Sequence, residues 1–203
     1  MITLYHAPQS RSSRIIWLLE EMGAPYEIHP VSIFRPMTGT GAPDPANPHP
    51  DKQVPVIVHE GELVAESVGI FLYLTDAFPE AGLAPLAGAP GRGTWLTWAT
   101  WYAASLEQAL FAAMGGELAD SPLKQRGYDA VVARVEGALA QGPYMLGENF
   151  SAIDLLVASA TKFARKAFPE SAALDAYVAR CATRPAAIRA AALDDATGLQ
   201  RAA

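Results

Sequence analysis

Hydrophobic positions in this chain follow two different rhythms, and the rhythm changes once. Near the start, short β-prone runs alternate with helical ones. Thr3 to Tyr5 predicts a strand followed by a His-Ala-Pro turn, while Ile15, Ile16, Leu18, Leu19 and Met22 recur at helical spacing. Gly23 and Pro25 close that helix, as a glycine just past the last turn and a nearby proline commonly do, and Tyr26 to Val31 alternates like a second strand. A βαβ unit therefore opens the chain. Residues 32–53 contain Pro36, Pro43, Pro45, Pro48 and Pro50, which leaves room for one turn of helix and no long one. Val54 to His59 predicts a strand, Glu60-Gly61 a tight turn and Glu62 to Ala65 its antiparallel partner. Val68, Phe71, Leu72 and Leu74 then predict a helix over Ser67 to Phe78, ended by Pro79.

Further along, the pattern becomes helical throughout. Residues 79–93 carry Pro79, Pro85 and Pro90 among several glycines, the composition of a linker. After it, 94–118, 121–141, 151–166 and 171–192 read as alanine-rich helices with no strand between them. The expected organisation is an α/β domain over 1–78 in the order βαβ-ββα, a linker over 79–93, and an all-α helix bundle over 94–203. Ser151-Ala152-Ile153-Asp154 predicts a capping box, with a purely structural role.

Composition narrows the function. Of 203 residues, 51% are hydrophobic and 18% charged, which is globular rather than disordered. The net charge is −6 with no Lys/Arg cluster, so nucleic acid is not an expected partner. Met1 to His6 lacks the pattern of a signal peptide, and no apolar run approaches the roughly 20 residues of a membrane span, so a cytoplasmic location and no membrane partner are expected. The single cysteine, Cys181, excludes an internal disulfide, a CxxC redox pair and a thiolate-rich zinc site, and the four histidines lack metal-ligand spacing. No metal is expected. Sulfur chemistry, if any, would use a thiol brought from outside.

Three local features become informative together: Ser10-Arg11-Ser12-Ser13-Arg14 between a strand and a helix, Lys52-Gln53-Val54-Pro55 entering a strand, and Glu66-Ser67 opening a helix. In this order and at these distances they resemble the glutathione-binding half of the cytosolic glutathione S-transferases, in particular serine-type, bacterial-like members. The Trp-bearing helix and the Ser151/Asp154 cap resemble the other half. The resemblance implies a thioredoxin-like domain holding glutathione, a helical domain shaping the pocket for a hydrophobic electrophile, and a homodimer.

Read through that resemblance, Pro55 follows a cis peptide bond that turns the Val54 N–H and C=O outward, where an extended peptide pairs as an added strand. Glu66 and Ser67 sit at a helix N-terminus, an anion site; Ser67 would hold the α-carboxylate of the γ-glutamyl group, with Glu66 and Gln53 on its surrounding polar groups. Lys52 or His49 would meet the glycine carboxylate, with Arg35 a further candidate and a solvated surface role open for each. Ser10 is the expected partner of the sulfur. Ser12 and Ser13 compete for that role or cap the helix, and Tyr5 is the alternative used by other classes of the family. Trp98, Trp101 and Tyr102 share one helix face at i, i+3, i+4 spacing, a core face by itself and, in the family, also a lining of the electrophile pocket. The implied reaction is conjugation of the glutathione thiolate to an electrophilic carbon. Peroxidase, dehalogenase or ether-cleaving activity on the same fold, or a non-catalytic glutathione-binding scaffold, are the other readings.

Overall fold

The strand β1 (Ile2–His6) buries Ile2, Leu4 and His6 and leaves Thr3 and Tyr5 half-covered, the alternation of a strand packed more heavily on one face. It lies between β2 (Tyr26–Pro30), which is parallel to it, and β3 (Val56–His59), which is antiparallel; β4 (Glu62–Ala65) closes the order β2-β1-β3-β4. The β3–β4 hairpin turns through Glu60 and Gly61 at φ 52° and 82°, both left-handed, as a two-residue turn with the twist of its strands requires. α1 (Ser13–Met22) stops at Gly23, whose φ of 62° lets its N–H return to the Leu19 carbonyl. α2 (Ser67–Ala77) leaves the sheet from β4. This is the predicted thioredoxin-like arrangement.

The computed structural model describes residues 1–202, with side chains through residue 196. Its contacts divide the chain into one unit of Met1–Ala81 together with the segment from Pro185 onward, and a second of Gly82–Arg184. The helical domain expected over 94–203 thus loses the segment from Pro185 to the first unit. The reason lies in α1. Arg14 through Leu19 are buried consecutively, more than one face of an amphipathic helix, so α1 needs cover away from the sheet as well. α8 (Pro185–Ala202) packs on α1 and supplies it, with Ala186 and Ala190 buried four residues apart. Arg189 Nε pairs with Glu20 at 2.6 Å in the same contact. The predicted helix over 171–192 is therefore two: α7 (Ala172–Ala182) ends before Pro185, and Pro185 opens α8 where its missing N–H is no loss.

The second unit is helical as expected. The predicted helix over 94–118 is broken into α3 (Arg92–Trp101) and α4 (Glu107–Met114) by a π-helical stretch at Tyr102–Leu106. α5 (Pro122–Leu139) and α6 (Ala152–Phe163) follow. α6 is buried from Ala152 through Ala158 and contacts α3 and α7, so it is the central helix of the unit. Its start is held by Asp154, fully buried, which accepts from the Ser151 N–H at 2.8 Å, the Ser151 hydroxyl at 3.1 Å, the Met145 N–H at 2.8 Å and the Tyr177 hydroxyl at 3.2 Å. Burial nevertheless raises its carboxyl above the ordinary value, so desolvation outweighs these donors. Among the described residues no helix is long and apolar enough to cross a membrane.

Removing the Asp154 carboxylate strands three donor residues around one buried point. Asp154→Ala is expected to lower stability by about 3–5 kcal/mol in urea unfolding monitored by circular dichroism; a loss under about 1 kcal/mol would show that the cap is dispensable.

Candidate functional site

Register brings the three sequence motifs to one end of the sheet. Tyr5 of β1 pairs with Val56 of β3, and Val56 pairs with Ala65 of β4. The chain leaving β1, the chain entering β3 through Val54-Pro55, and the chain leaving β4 into Glu66-Ser67 therefore emerge side by side. The Val54-Pro55 peptide is cis, and Val54 stands outside the ladder that begins at Val56. At the β4–α2 junction Glu66 adopts φ 66° and ψ 131°, a conformation a side chain rarely takes and one that costs about 1–3 kcal/mol. Next to it the Ser67 hydroxyl is buried without any hydrogen-bond partner. Backbone strain and a buried hydroxyl without a hydrogen-bond partner thus coincide at the start of α2.

The loop from Ala7 to Ser12 separates its three serines by burial. Ser12 is completely buried; its hydroxyl lies 2.8 Å from His6 Nδ1 and accepts from the Ala7 N–H at 3.2 Å. Ser10 is half-buried, its Oγ 2.7 Å from the Ala7 carbonyl and 2.7 Å from Ser12 Oγ. Ser13, also half-buried, donates to Asp194 Oδ1 at 2.7 Å. Tyr5 stacks on His29 at 4.9 Å between ring centroids, on the neighbouring strand. Of these four hydroxyls, Ser12 is the one sealed inside.

Two residues that the sequence did not single out organise this loop. His6 is fully buried at the end of β1, and Asp194 reaches it from α8, two turns beyond Ala186 on the stripe that faces α1. Asp194 accepts from the Gln9 N–H at 3.1 Å and from Ser13, and its Oδ1 lies 3.1 Å from His6 Nε2. That last oxygen sits off the ring's N–H direction, since Nε2 has no in-line partner; the contact is electrostatic rather than a directed hydrogen bond. Burial pushes the Asp194 carboxyl up, yet the adjacent His6 ring and the Ser13 and Gln9 donors together hold it below the ordinary carboxylate range. The available signal was an acidic residue continuing an alanine stripe, legible only once that helix is known to return to α1.

The remaining candidates are engaged locally. Lys52 Nζ donates to the Asn47 carbonyl at 2.8 Å, and the buried His49 accepts from the Asp51 N–H at 3.1 Å through Nδ1. The Gln53 carbonyl accepts from the Asn47 amide at 2.9 Å, which leaves its side chain uncommitted by that bond. Arg35 donates to the Pro8 carbonyl at 2.6 Å and the Gln9 carbonyl at 3.3 Å, so it ties the proline-rich connection to the serine loop. In the helical unit, Trp98 and Tyr102 are core residues, Tyr102 donating to Glu107 at 2.6 Å. Trp101 is half-exposed, and Arg134 lies 4.4 Å from both the Trp98 and Trp101 rings. Cys181 is buried, which pushes its thiol up to about 12 and leaves it inert as a nucleophile.

Residues 1–76 match the family model for the glutathione S-transferase N-terminal domain. A curated relative, glutathione S-transferase 3 of Schizosaccharomyces pombe, is 36% identical over 78 residues, covering 38% of this chain and 31% of the relative, so the match spans about a third of that protein's length. Among solved structures, a glutathione S-transferase from Actinobacillus pleuropneumoniae superposes with a TM-score of 0.82 at 23% identity, over 96% of this chain and 93% of that one. A sphingomonad glutathione S-transferase, complexed with glutathione, superposes with a TM-score of 0.78 at 24% identity, over 95% and 98% of the two chains. At these identities the structural likeness establishes the fold.

Because the Asp194 carboxyl is depressed in the folded protein, the stability it contributes is present above its unfolded value near 3.8 and is lost as pH falls through the folded value. Asp194→Asn is expected to lower stability by about 1–2 kcal/mol at neutral pH. The gap to the wild type should close in acid below the ordinary carboxylate range. A gap that stays constant down the acid limb of a chemical-denaturation series would rule this out.

Proposed function

We propose that this chain is a member of the glutathione S-transferase family, whose N-terminal-domain model residues 1–76 match, and that it binds glutathione at the end of the sheet where the three motifs meet and presents its sulfur as a thiolate to a hydrophobic electrophile. The observation that carries the reading is the orphaned Ser67 hydroxyl beside strained Glu66 at the start of α2. A carboxylate placed there would satisfy the hydroxyl, meet free N–H groups of the first helical turn and sit at the positive end of the helix dipole. Glu66 and Gln53 would hold the remaining polar groups of the γ-glutamyl end, and Val54 would pair with the peptide backbone as one rung of an added strand. Lys52 and His49 are the proposed neighbours of the glycine carboxylate, Lys52 by giving up its contact with the Asn47 carbonyl.

Ser10 is the proposed donor to the sulfur. Its half-buried hydroxyl is within reach of a ligand, whereas that of Ser12 is enclosed. A thiol with a pKa of about 8.5 is only a few per cent ionised at neutral pH. Lowering that value by about two units requires about 2.7 kcal/mol. One hydrogen bond to the charged sulfur supplies about 1.5–3 kcal/mol of it, and the N-terminus of α1 adds to that. The thiolate would then attack an electrophilic carbon without a covalent enzyme intermediate, with proximity and ionisation supplying the acceleration. On the helical unit, Trp101 is the proposed aromatic contact for the electrophile, since Trp98 and Tyr102 are committed to the core. Family membership further supports a cytoplasmic homodimer acting in detoxification. Peroxidase, dehalogenase or ether-cleaving chemistry would use the same thiolate with a different second substrate.

Ser67→Ala separates binding from folding. It removes a buried hydroxyl that has no partner, so stability in urea should hold or rise, while glutathione affinity measured by calorimetry should fall about tenfold or more. Unchanged affinity would place the carboxylate elsewhere. Wild-type retention on immobilised glutathione, followed by no turnover of a chlorinated nitroaromatic, would favour the scaffold reading instead.

A further inference from the structure

The thiol proton must go somewhere when glutathione ionises, and the loop contains a path for it. Ser10 Oγ and Ser12 Oγ are 2.7 Å apart, Ser12 Oγ and His6 Nδ1 are 2.8 Å apart, and His6 Nε2 faces Asp194 Oδ1 at 3.1 Å. The chain of contacts runs from a half-buried hydroxyl to an imidazole with no exposed surface. A carboxylate beside Nε2 assigns that nitrogen the ring proton, which makes Nδ1 an acceptor for the Ser12 O–H. Ser12 in turn accepts from the Ala7 N–H, and the Ser10 hydroxyl, which donates to the Ala7 carbonyl at 2.7 Å, has Ser12 Oγ at the same distance and reaches it by a rotation about its own C–O bond.

We propose that His6 is the internal acceptor of the glutathione thiol proton, reached through Ser10 and Ser12, and that Asp194 on the last helix holds the resulting imidazolium. The proposal rests on the glutathione reading and on Ser10 meeting the sulfur. The step balances as a shift of three protons. The S–H proton passes to Ser10 Oγ as the Ser10 proton passes to Ser12 Oγ and the Ser12 proton to His6 Nδ1. No electrons are gained or lost. Afterwards every hydrogen bond in the row points the other way: Nδ1–H donates to Ser12, Ser12 donates to Ser10, and Ser10 donates to the thiolate. The sulfur acquires its stabilising donor in the same event that removes its proton. The new positive charge lies inside the protein against a carboxylate, rather than leaving with solvent. His6, Ser12 and Asp194 do not touch the sulfur, so each is a positioning residue acting through Ser10.

The test counts protons. Calorimetry of the full-length protein with glutathione, in two buffers of different ionisation enthalpy, gives the number of protons released on binding. S-methylglutathione, which has no thiol proton, provides the baseline, and ultraviolet absorbance reports the bound thiolate. In the wild type, glutathione should appear as thiolate while releasing no more protons than S-methylglutathione does. In Ser12→Ala and Asp194→Asn, glutathione should still bind but with about tenfold less thiolate, the loss expected when one hydrogen bond to a charged group goes. Whatever thiolate remains in Ser12→Ala should be matched by protons appearing in the buffer. A full extra proton released by the wild type, or a wild-type thiolate fraction in both variants, would overturn the relay and leave glutathione binding intact. Absence of any glutathione uptake by the wild type would instead overturn the binding reading and the relay with it. The wild-type count needs no substitution, so poor folding of a variant does not protect the proposal.

Discussion

The pairing of β3 between β1 and β4 is the constraint on which the rest of the first unit depends. Side chains along a strand alternate faces, so a slip of one residue would break the pairing of Val56 with Tyr5 and of Ile57 with Leu4 and turn buried Val56 and Ile57 each to the opposite face of the sheet. The same register determines that three separate chain ends leave the sheet together. Ser10, Val54 and Ser67 are distant in sequence and belong to different loops, and the ladder brings those loops to one end of the sheet. The site is a by-product of a β-ladder, and its accuracy is inherited from hydrophobic burial.

Around that end of the sheet, local conformational cost is tolerated because packing elsewhere supports it. Glu66 holds a backbone conformation that glycine would adopt more readily, and it does so between a strand anchored by Ala65–Val56 pairing and a helix anchored by buried Ile70, Phe71 and Leu74. The Ser10–Ser13 loop is treated in the opposite way. It is rich in hydrogen bonds, with backbone and hydroxyl donors directed inward to Asp194 and to the Ala7 carbonyl. One side of this end of the sheet is therefore underbonded and the other rich in hydrogen bonds, a contrast that suits the proposed roles of a carboxylate-binding helix start and an oriented hydroxyl.

Much of the fold was legible in the sequence, and what escaped did so for physical reasons. Glu62 to Ala65, the Glu60-Gly61 turn and the helix from Ser67 were readable because alternation, turn residues and a closing proline all act locally. The boundary between α7 and α8 was hidden because a proline at the first position of a helix leaves the apolar rhythm on either side undisturbed. The break at Tyr102–Leu106 also left the helical periodicity outwardly intact. Among the candidate residues, order and spacing carried the resemblance that put Ser10 first among the serines, and burial adds that Ser12 is enclosed. Nor does spacing reveal that His6 and Asp194 meet, since they lie at opposite ends of the sequence and belong to no shared motif.

The packing of α8 against α1 makes the first unit discontinuous in sequence, with Gly82–Arg184 inserted between its two parts. During synthesis, the sheet and α1 are complete long before the segment that covers them has been made. Until then, the side of α1 turned away from the sheet lacks its partner, and the loop after β1 lacks the carboxylate that receives its N–H and hydroxyl groups. Maturation of the first unit is consequently tied to the synthesis of α8, and the inserted helices have time to fold before it.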